Sequence, residues 1–253
     1  MMKIRILRLT ALLFALLMML ASCSSLPTLR YKNGVYTNKK TGISYAHAPS
    51  CYQAIAYHQD REVAKIEQKG MEDMILYEVN GVDPSKMLTT ADYELLYAVG
   101  TTLPALWEMD ITTVYVNQSA EISFAVATIT DTPVIRALIE AYQTGGSFPQ
   151  SHMEKGLAYD KYDLVFQSEH LRYCLIYWEF EEEVLIYEPI SSLTDFEILY
   201  PGVEVTTEVY EYTENGEAKQ EYLAVYHFGK GIIYHRETGL CYPAGTLISD
   251  YLV

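Results

Sequence analysis

The chain has 253 residues and a formal net charge of −15, with 33 acidic against 18 basic side chains. That length allows one large domain or two small ones around a real hydrophobic core. A surface this acidic repels nucleic acid and anionic lipid alike, which argues against both as partners of the folded body.

Lys3, Arg5 and Arg8 open the chain, an uncharged run follows from Leu9 to Leu20, and Ala21 and Ser22 are small. Basic, then apolar, then small is the order of a secretory signal. The run is short for a membrane span, which needs ~20 apolar residues. Leu20-Ala21-Ser22-Cys23 resembles the lipobox of bacterial lipoproteins, a resemblance confined to about the first 25 residues. It implies that residues 1–22 are a signal peptide and that Leu20, Ala21 and Ser22 are read by the signal peptidase. It also implies that the Cys23 thiol carries a diacylglyceryl group. An ordinary cleaved signal followed by a chance cysteine is the alternative. At ~0.8 kcal/mol per buried methylene, two acyl chains hold a protein on a membrane where one is marginal. The expected address is therefore the extracytoplasmic face of the cell membrane, with the lipid on Cys23 as the membrane contact.

Removing residues 1–22 from the 253 leaves 231, and losing Lys3, Arg5 and Arg8 moves the net charge from −15 to −18. Residues 23–30 are expected to be the lipidated Cys and a short tether reaching about 20–25 Å. Residues 31–253 form the extracytoplasmic body. With Cys23 modified, Cys51, Cys174 and Cys241 remain, an odd set whose spacings of 123 and 67 residues match no metal signature. At most one disulfide can form, and core packing must carry the stability.

Tyr31 to Ala46 reads as a hairpin turning at Asn38–Gly42. Tyr36 to Tyr45 resembles Tyr234 to Tyr242, which share Thr-Gly before an apolar residue. Two copies make one hairpin chemistry used twice; a ring of sheets closed by the chain ends is a weaker alternative. Ser50 to Gly70 reads as a helix over 51–69, with Ser50 and Gln53 as a capping box, Tyr52, Ile55, Ala56, Val63 and Ile66 roughly on one apolar stripe, and Gly70 as a stop. Short strands at Tyr52–Tyr57 and Glu62–Glu67 are the competing assignment. Met74–Val79 is a strand, Thr102–Met109 holds a helical turn, and Ile111–Val116 with Glu121–Ile129 form a strand pair. The clearest helix spans 133–144. Caps at Thr130–Thr132 and Pro133 precede it, Gly145-Gly146 ends it, and Val134, Ile135, Leu138, Ile139 and Tyr142 form its apolar stripe. Residues 145–151 are the best place for a division into two lobes.

Beyond that point the pattern is β: Asp163–Ser168, Leu171–Phe180, Val184–Glu188, Val203–Thr213, Glu221–Phe228 and Gly231–His235. Asn215-Gly216 is a strong hairpin turn that pairs Thr213 with Ala218 and Val209 with Tyr222. Gly229-Lys230 looks like a second, making Val203–His235 a three-stranded meander. The fold class is mainly β (α+β), with antiparallel sheets built from hairpins, the helix near 133–144 and the second helix near 51–69.

No nucleophile elbow, zinc helix, phosphate loop or dinucleotide fingerprint occurs, so no cofactor is indicated. Asn117-Gln118-Ser119 is formally a glycosylation acceptor, which a bacterial signal makes irrelevant. His227 and His235 flank the Gly229-Lys230 turn, but pairing across it would put them on opposite faces, and His47 and His58 lack ligand spacing. Glu179, Glu181 and Glu183 alternate along one strand face, although Glu181–Glu183 reads as a solvated hairpin tip. Glu204, Glu208, Tyr210 and Tyr212 place acids beside aromatics, and Trp107 and Trp178 read as core.

Residues 26–253 carry the signature of no family. The expected function is a membrane-anchored extracytoplasmic module that binds a cell-wall or protein ligand. The alternative is a lipid-anchored hydrolase of glycans or peptidoglycan with a carboxylate pair ~5–10 Å apart. A solute-binding protein of two α/β lobes fits poorly, because strand follows strand here. Facing carboxylates in a cleft would favour the enzyme, and an exposed aromatic strip would favour binding.

Overall fold

The computed structural model describes residues 26–252 except 56, 69, 119–123, 154–156 and 201, and only the backbone of 57–60. Leu20, Ala21, Ser22 and Cys23 lie outside the described residues. The chain is mainly β, in three sheets with one α-helix among the described residues.

The first sheet is a closed barrel of seven strands. In chain order these are β1 (Thr28–Lys32), β2 (Val35–Asn38), β3 (Ser44–His47), β5 (Tyr57–Ile66), β6 (Met74–Val79), β7 (Met87–Thr89) and β8 (Leu95–Ala98). Between β3 and β5 the chain leaves the barrel to form β4 (Tyr52–Ala54), which pairs in the second sheet. Parallel pairing of Thr28 with Lys65 and Leu29 with Ile66 closes the barrel. Inside lie Leu29, Tyr45, Ala64, Ile66, Leu76, Leu88, Leu96 and Ala98.

Two expectations change here. The helix over 51–69 does not form: β4 and β5 stand in its place. Ala64 and Ile66 alternate inward against Leu76 on β6, so a long-range ladder overrides a weak helical stripe. The tether also shortens, because Thr28–Lys32 is already strand and Leu29 is fully buried.

The second sheet runs β10 (Phe124–Ile129), β9 (Thr113–Gln118), β12 (Tyr159–Gln167), β13 (Leu171–Phe180), β17 (Gly231–His235), β18 (Leu240–Gly245), β11 (Phe148–Pro149). β4 and β17 share one edge of β13: Tyr52 lies opposite Tyr173, and Tyr234 opposite Ile176. One face of this sheet packs on helix α1 (Thr132–Thr144) through Ile135 and Leu138, and on Val79, Met87 and Leu95 of the barrel. Asp131 is the N-cap of α1, Pro133 opens its first turn, and Gly145 ends it with its N–H on the Ala141 carbonyl at 3.1 Å.

The third sheet is β14 (Leu185–Ile190), β16 (Glu217–His227) and β15 (Glu204–Glu214). Ile186, Ala224 and Tyr226 bury one of its faces against Ile176, Trp178, Phe180, Phe148 and Cys241 of the second sheet. Residues 145–151 are part of this packing: β11 pairs Phe148 with Cys241, and Phe148 is 0% exposed. The break between sheets falls nearer residues 99–112, where the barrel ends and β9 begins.

The expected meander is also corrected. Thr213 pairs with Ala218 and Val209 with Tyr222, but β16 never pairs with β17. At Gly229 (φ 73°) the chain crosses between sheets. The Gly229 carbonyl accepts Val184 N–H at 2.9 Å and the Lys230 carbonyl accepts Phe180 N–H at 2.9 Å. β13–β14 and β16–β17 thus turn the same corner together, with Phe228 buried at the bend. The two look-alike hairpins do share a chemistry. Ile43 N–H donates to Thr41 Oγ1 and Leu240 N–H to Thr238 Oγ1, each at 3.3 Å. One belongs to the barrel and the other to the second sheet, so they do not close a ring.

Candidate binding surfaces

β15 is an edge strand whose residues are exposed almost throughout. Residues opposite one another in a ladder share a face. Tyr187 therefore lies with Val225 and Thr206, Pro189 with Leu223 and Glu208, and Tyr210 with Glu221. The result is a diagonal strip of Tyr187, Pro189, Leu223, Tyr210 and Tyr212. Its tyrosines are 51%, 57% and 37% exposed, in chain order. Tyr210 and Tyr212 stack with centroids 5.9 Å apart. Glu208 and Glu221 border the rings on the same face. A shallow apolar strip edged by carboxylates offers ring stacking and hydroxyl acceptance together, as a sugar polymer or an amphipathic protein segment requires.

A concavity of about 510 Å³ lies on the face of the second sheet that carries the third sheet, where that cover ends at Ile176. Three ladder rows make its floor. Asn117, Asp163 and Ile176 form one, Tyr115, Val165 and Cys174 the next, and Arg172 and Gln53 the third. Ser50, Arg236 and Glu237 line one side, where β4 and β17 meet. The Ser50 hydroxyl donates to Glu237 Oε1 at 2.9 Å, and the Ser50 N–H donates to the same oxygen. Arg172 Nε donates to Gln167 Oε1 at 3.2 Å. Burial pushes the Cys174 thiol up to about 12; Arg172 opposes that rise and Asp163 reinforces it. The thiol on this floor is thus neutral at physiological pH.

Behind the floor, β13 and β17 face α1 through a polar chain. Thr238 N–H donates to His235 Nδ1 at 3.2 Å, so the ring proton sits on Nε2 and points to Tyr173 Oη at 3.2 Å. Tyr173 and Tyr142 hydroxyls are 3.0 Å apart. Burial lowers the His235 pKa below its ordinary value and raises that of Tyr173 far above its own. The neutral tautomer matches the network on both sides.

The candidate residues of the sequence fall at several separate places. Glu204, Glu208, Tyr210 and Tyr212 do share one face. Glu179, Glu181 and Glu183 do not, because β13 ends at Phe180. Glu179 accepts from the Tyr177 hydroxyl and from Ser249 Oγ at 2.8 Å, and Glu183 Oε2 lies 3.3 Å from His227 Nδ1. His227 and His235 belong to different sheets. Trp178 is core and stacks on Tyr234, with centroids 4.5 Å apart, whereas Trp107 is 48% exposed beside Tyr142. Ser119 of the acceptor sequence lies outside the described residues. The sequence does not show that Gln53, Asn117, Asp163, Arg172 and Arg236 line one cleft, since five separate segments supply them. No family model matches the chain, nor does any curated protein or solved structure.

Proposed function

We propose that the protein is a lipid-anchored extracytoplasmic binding module that holds a cell-wall polymer or an envelope protein against the membrane. The observation that carries the binding reading is the exposed strip of Tyr187, Tyr210 and Tyr212 on a sheet whose other face is core. Aromatic surface of this kind would ordinarily be buried, and its exposure beside Glu208 and Glu221 suits a ligand with both apolar and hydroxyl faces. The anchor rests on Leu20-Ala21-Ser22-Cys23, with Cys23 as the lipidated residue. Four residues, Ser24 to Pro27, then separate it from β1, a reach of about 14 Å at most. The barrel would ride at the membrane surface, and the tether could not act as a stalk.

Two measurements test this reading. Replacing Cys23 with Ala should move the protein from the membrane to the soluble fraction; normal processing and unchanged membrane retention would refute the anchor. Incubating the full-length chain with cell-wall fragments should give retention without cleavage. A hydrolase is the second reading, because Asp163 and Glu237 line one cleft. Glu237 is already committed to both Ser50 donors, which argues against a catalytic role. Cleavage abolished by Glu237→Gln or Asp163→Asn would establish the enzyme instead.

A further inference from the structure

Among the described arginines Arg61 forms an ion pair, with Glu78, whereas Arg30, Arg136, Arg172 and Arg236 form none. Arg30 and Arg136 are simply exposed, but Arg172 and Arg236 line the same cleft. Arg172 is held only by the neutral Gln167 amide. The rim carboxylate Glu237 accepts from Ser50. The guanidiniums are therefore left facing the cavity.

The register places Arg172 and Asp163 on opposite sides of the Cys174–Val165 row and on the same face. Four residue steps along the strands and one strand across set their Cα atoms about 14 Å apart, with the apolar row between them. Their opposite influence on the Cys174 thiol places both charges near it. A carboxylate accepts up to about four hydrogen bonds, so Asp163 retains capacity for a ligand ammonium beside its own protein contacts. Asn117, Gln53 and the Tyr115 hydroxyl add neutral donors and acceptors around the row. A cavity of about 510 Å³ suits a molecule of dipeptide size.

We infer that this cleft is a binding site for a short zwitterionic peptide. Arg172, with Arg236 at the rim, receives the carboxylate. Asp163 receives the ammonium, and Val165 and Cys174 support the aliphatic part between. The site is independent of the tyrosine strip, so either can fail without the other.

Calorimetric titration of the full-length chain in detergent tests this with four probes. They are L-alanyl-L-alanine, its N-acetyl derivative, its C-terminal amide and inorganic phosphate. The free dipeptide should bind, and each blocked form should bind at least about tenfold more weakly, the loss expected on removing one charge-assisted hydrogen bond. Arg172→Gln should abolish binding of the free and N-acetyl forms. Asp163→Asn should make those two forms bind alike. Arg236→Gln alters an exposed side chain and should weaken both without altering the fold, so it carries the test if Arg172→Gln melts early. Failure of every probe to bind at millimolar concentration overturns the inference. So does phosphate binding as tightly as the dipeptide, equal affinity for blocked and free forms, or unchanged affinity in both arginine variants.

Discussion

Phe148→Ala separates a packed edge strand from a loose spacer. Phe148 is 0% exposed, lies opposite Cys241, and has its ring centroid 4.2 Å from that of Phe228 and 6.2 Å from that of Tyr200. Truncating a fully buried Phe costs about 3–5 kcal/mol through lost burial and the residual cavity. Much of the upper range is expected here, because two aromatic partners lose their contacts with it. For a domain of this size each kcal/mol lowers Tm by about 2–4 °C, so the melting point should fall by about 6–20 °C. Near-ultraviolet circular dichroism followed on heating reports the transition, with far-ultraviolet signal checking that the sheets persist below it. A Tm within about 2 °C of wild type would refute the packing argument and restore residues 145–151 as a spacer between lobes.

Three further outcomes follow from the interior. His235 is neutral in the fold and its pKa is lowered by burial, with Glu237 opposing, so the unfolded chain binds the extra proton first. Its contribution to stability is therefore complete above about pH 6.5 and is lost as pH falls through the lowered value; His235→Gln should flatten the dependence of Tm on pH between about 7 and 5, and an unchanged slope would contradict the assignment. A Cβ at Gly231 would collide with the Gly245 carbonyl oxygen and the Tyr177 hydroxyl and sit 3.0 Å from Tyr177 Cε2. Gly231→Ala should accordingly cost about 1–3 kcal/mol in denaturant titration, whereas a neutral result would show that β17 and β18 separate freely. Cys51 and Cys241 are buried free thiols whose pKa values burial raises, to about 12 for Cys241. Mass spectrometry after alkylation at pH 8 should find them unmodified in the native protein and both modified in denaturant; rapid native labelling would contradict their burial.

What the amino-acid order revealed was whatever short-range chemistry decides. Asn215-Gly216 specifies a tight turn, and the turn alone aligns Val209 with Tyr222 across the hairpin. Pro133 and Gly145 bracket α1 for equally local reasons. Gly229-Lys230 has the same appearance, yet the burial of Phe228 and the hydrogen bonds to Val184 and Phe180 send the chain into another sheet. Residues 51–69 follow the same rule: ladders to Leu171–Tyr173 and Met74–Val79 decide them, and a helical stripe of five apolar residues does not reveal either. Of the two surfaces, the tyrosine strip was partly visible because Glu208, Tyr210 and Tyr212 alternate within one strand. Tyr187 joined it only through β16. The cleft was invisible, because its three rows draw on β4, β9, β12 and β13, and rows exist only once register does.

The central claim is that the tyrosine strip is where this protein meets its ligand. Co-sedimentation of the full-length chain in detergent with insoluble cell-envelope fragments, comparing wild type with the double variant Tyr210→Ala and Tyr212→Ala, tests it most directly. Both side chains are exposed, so the variant should keep its melting temperature. The account predicts that wild type sediments with the fragments, leaves them uncleaved, and loses retention by about tenfold or more in the variant, in line with removal of two aromatic anchors. Equal retention of wild type and variant, or cleavage that disappears when a single carboxylate is replaced, would contradict it.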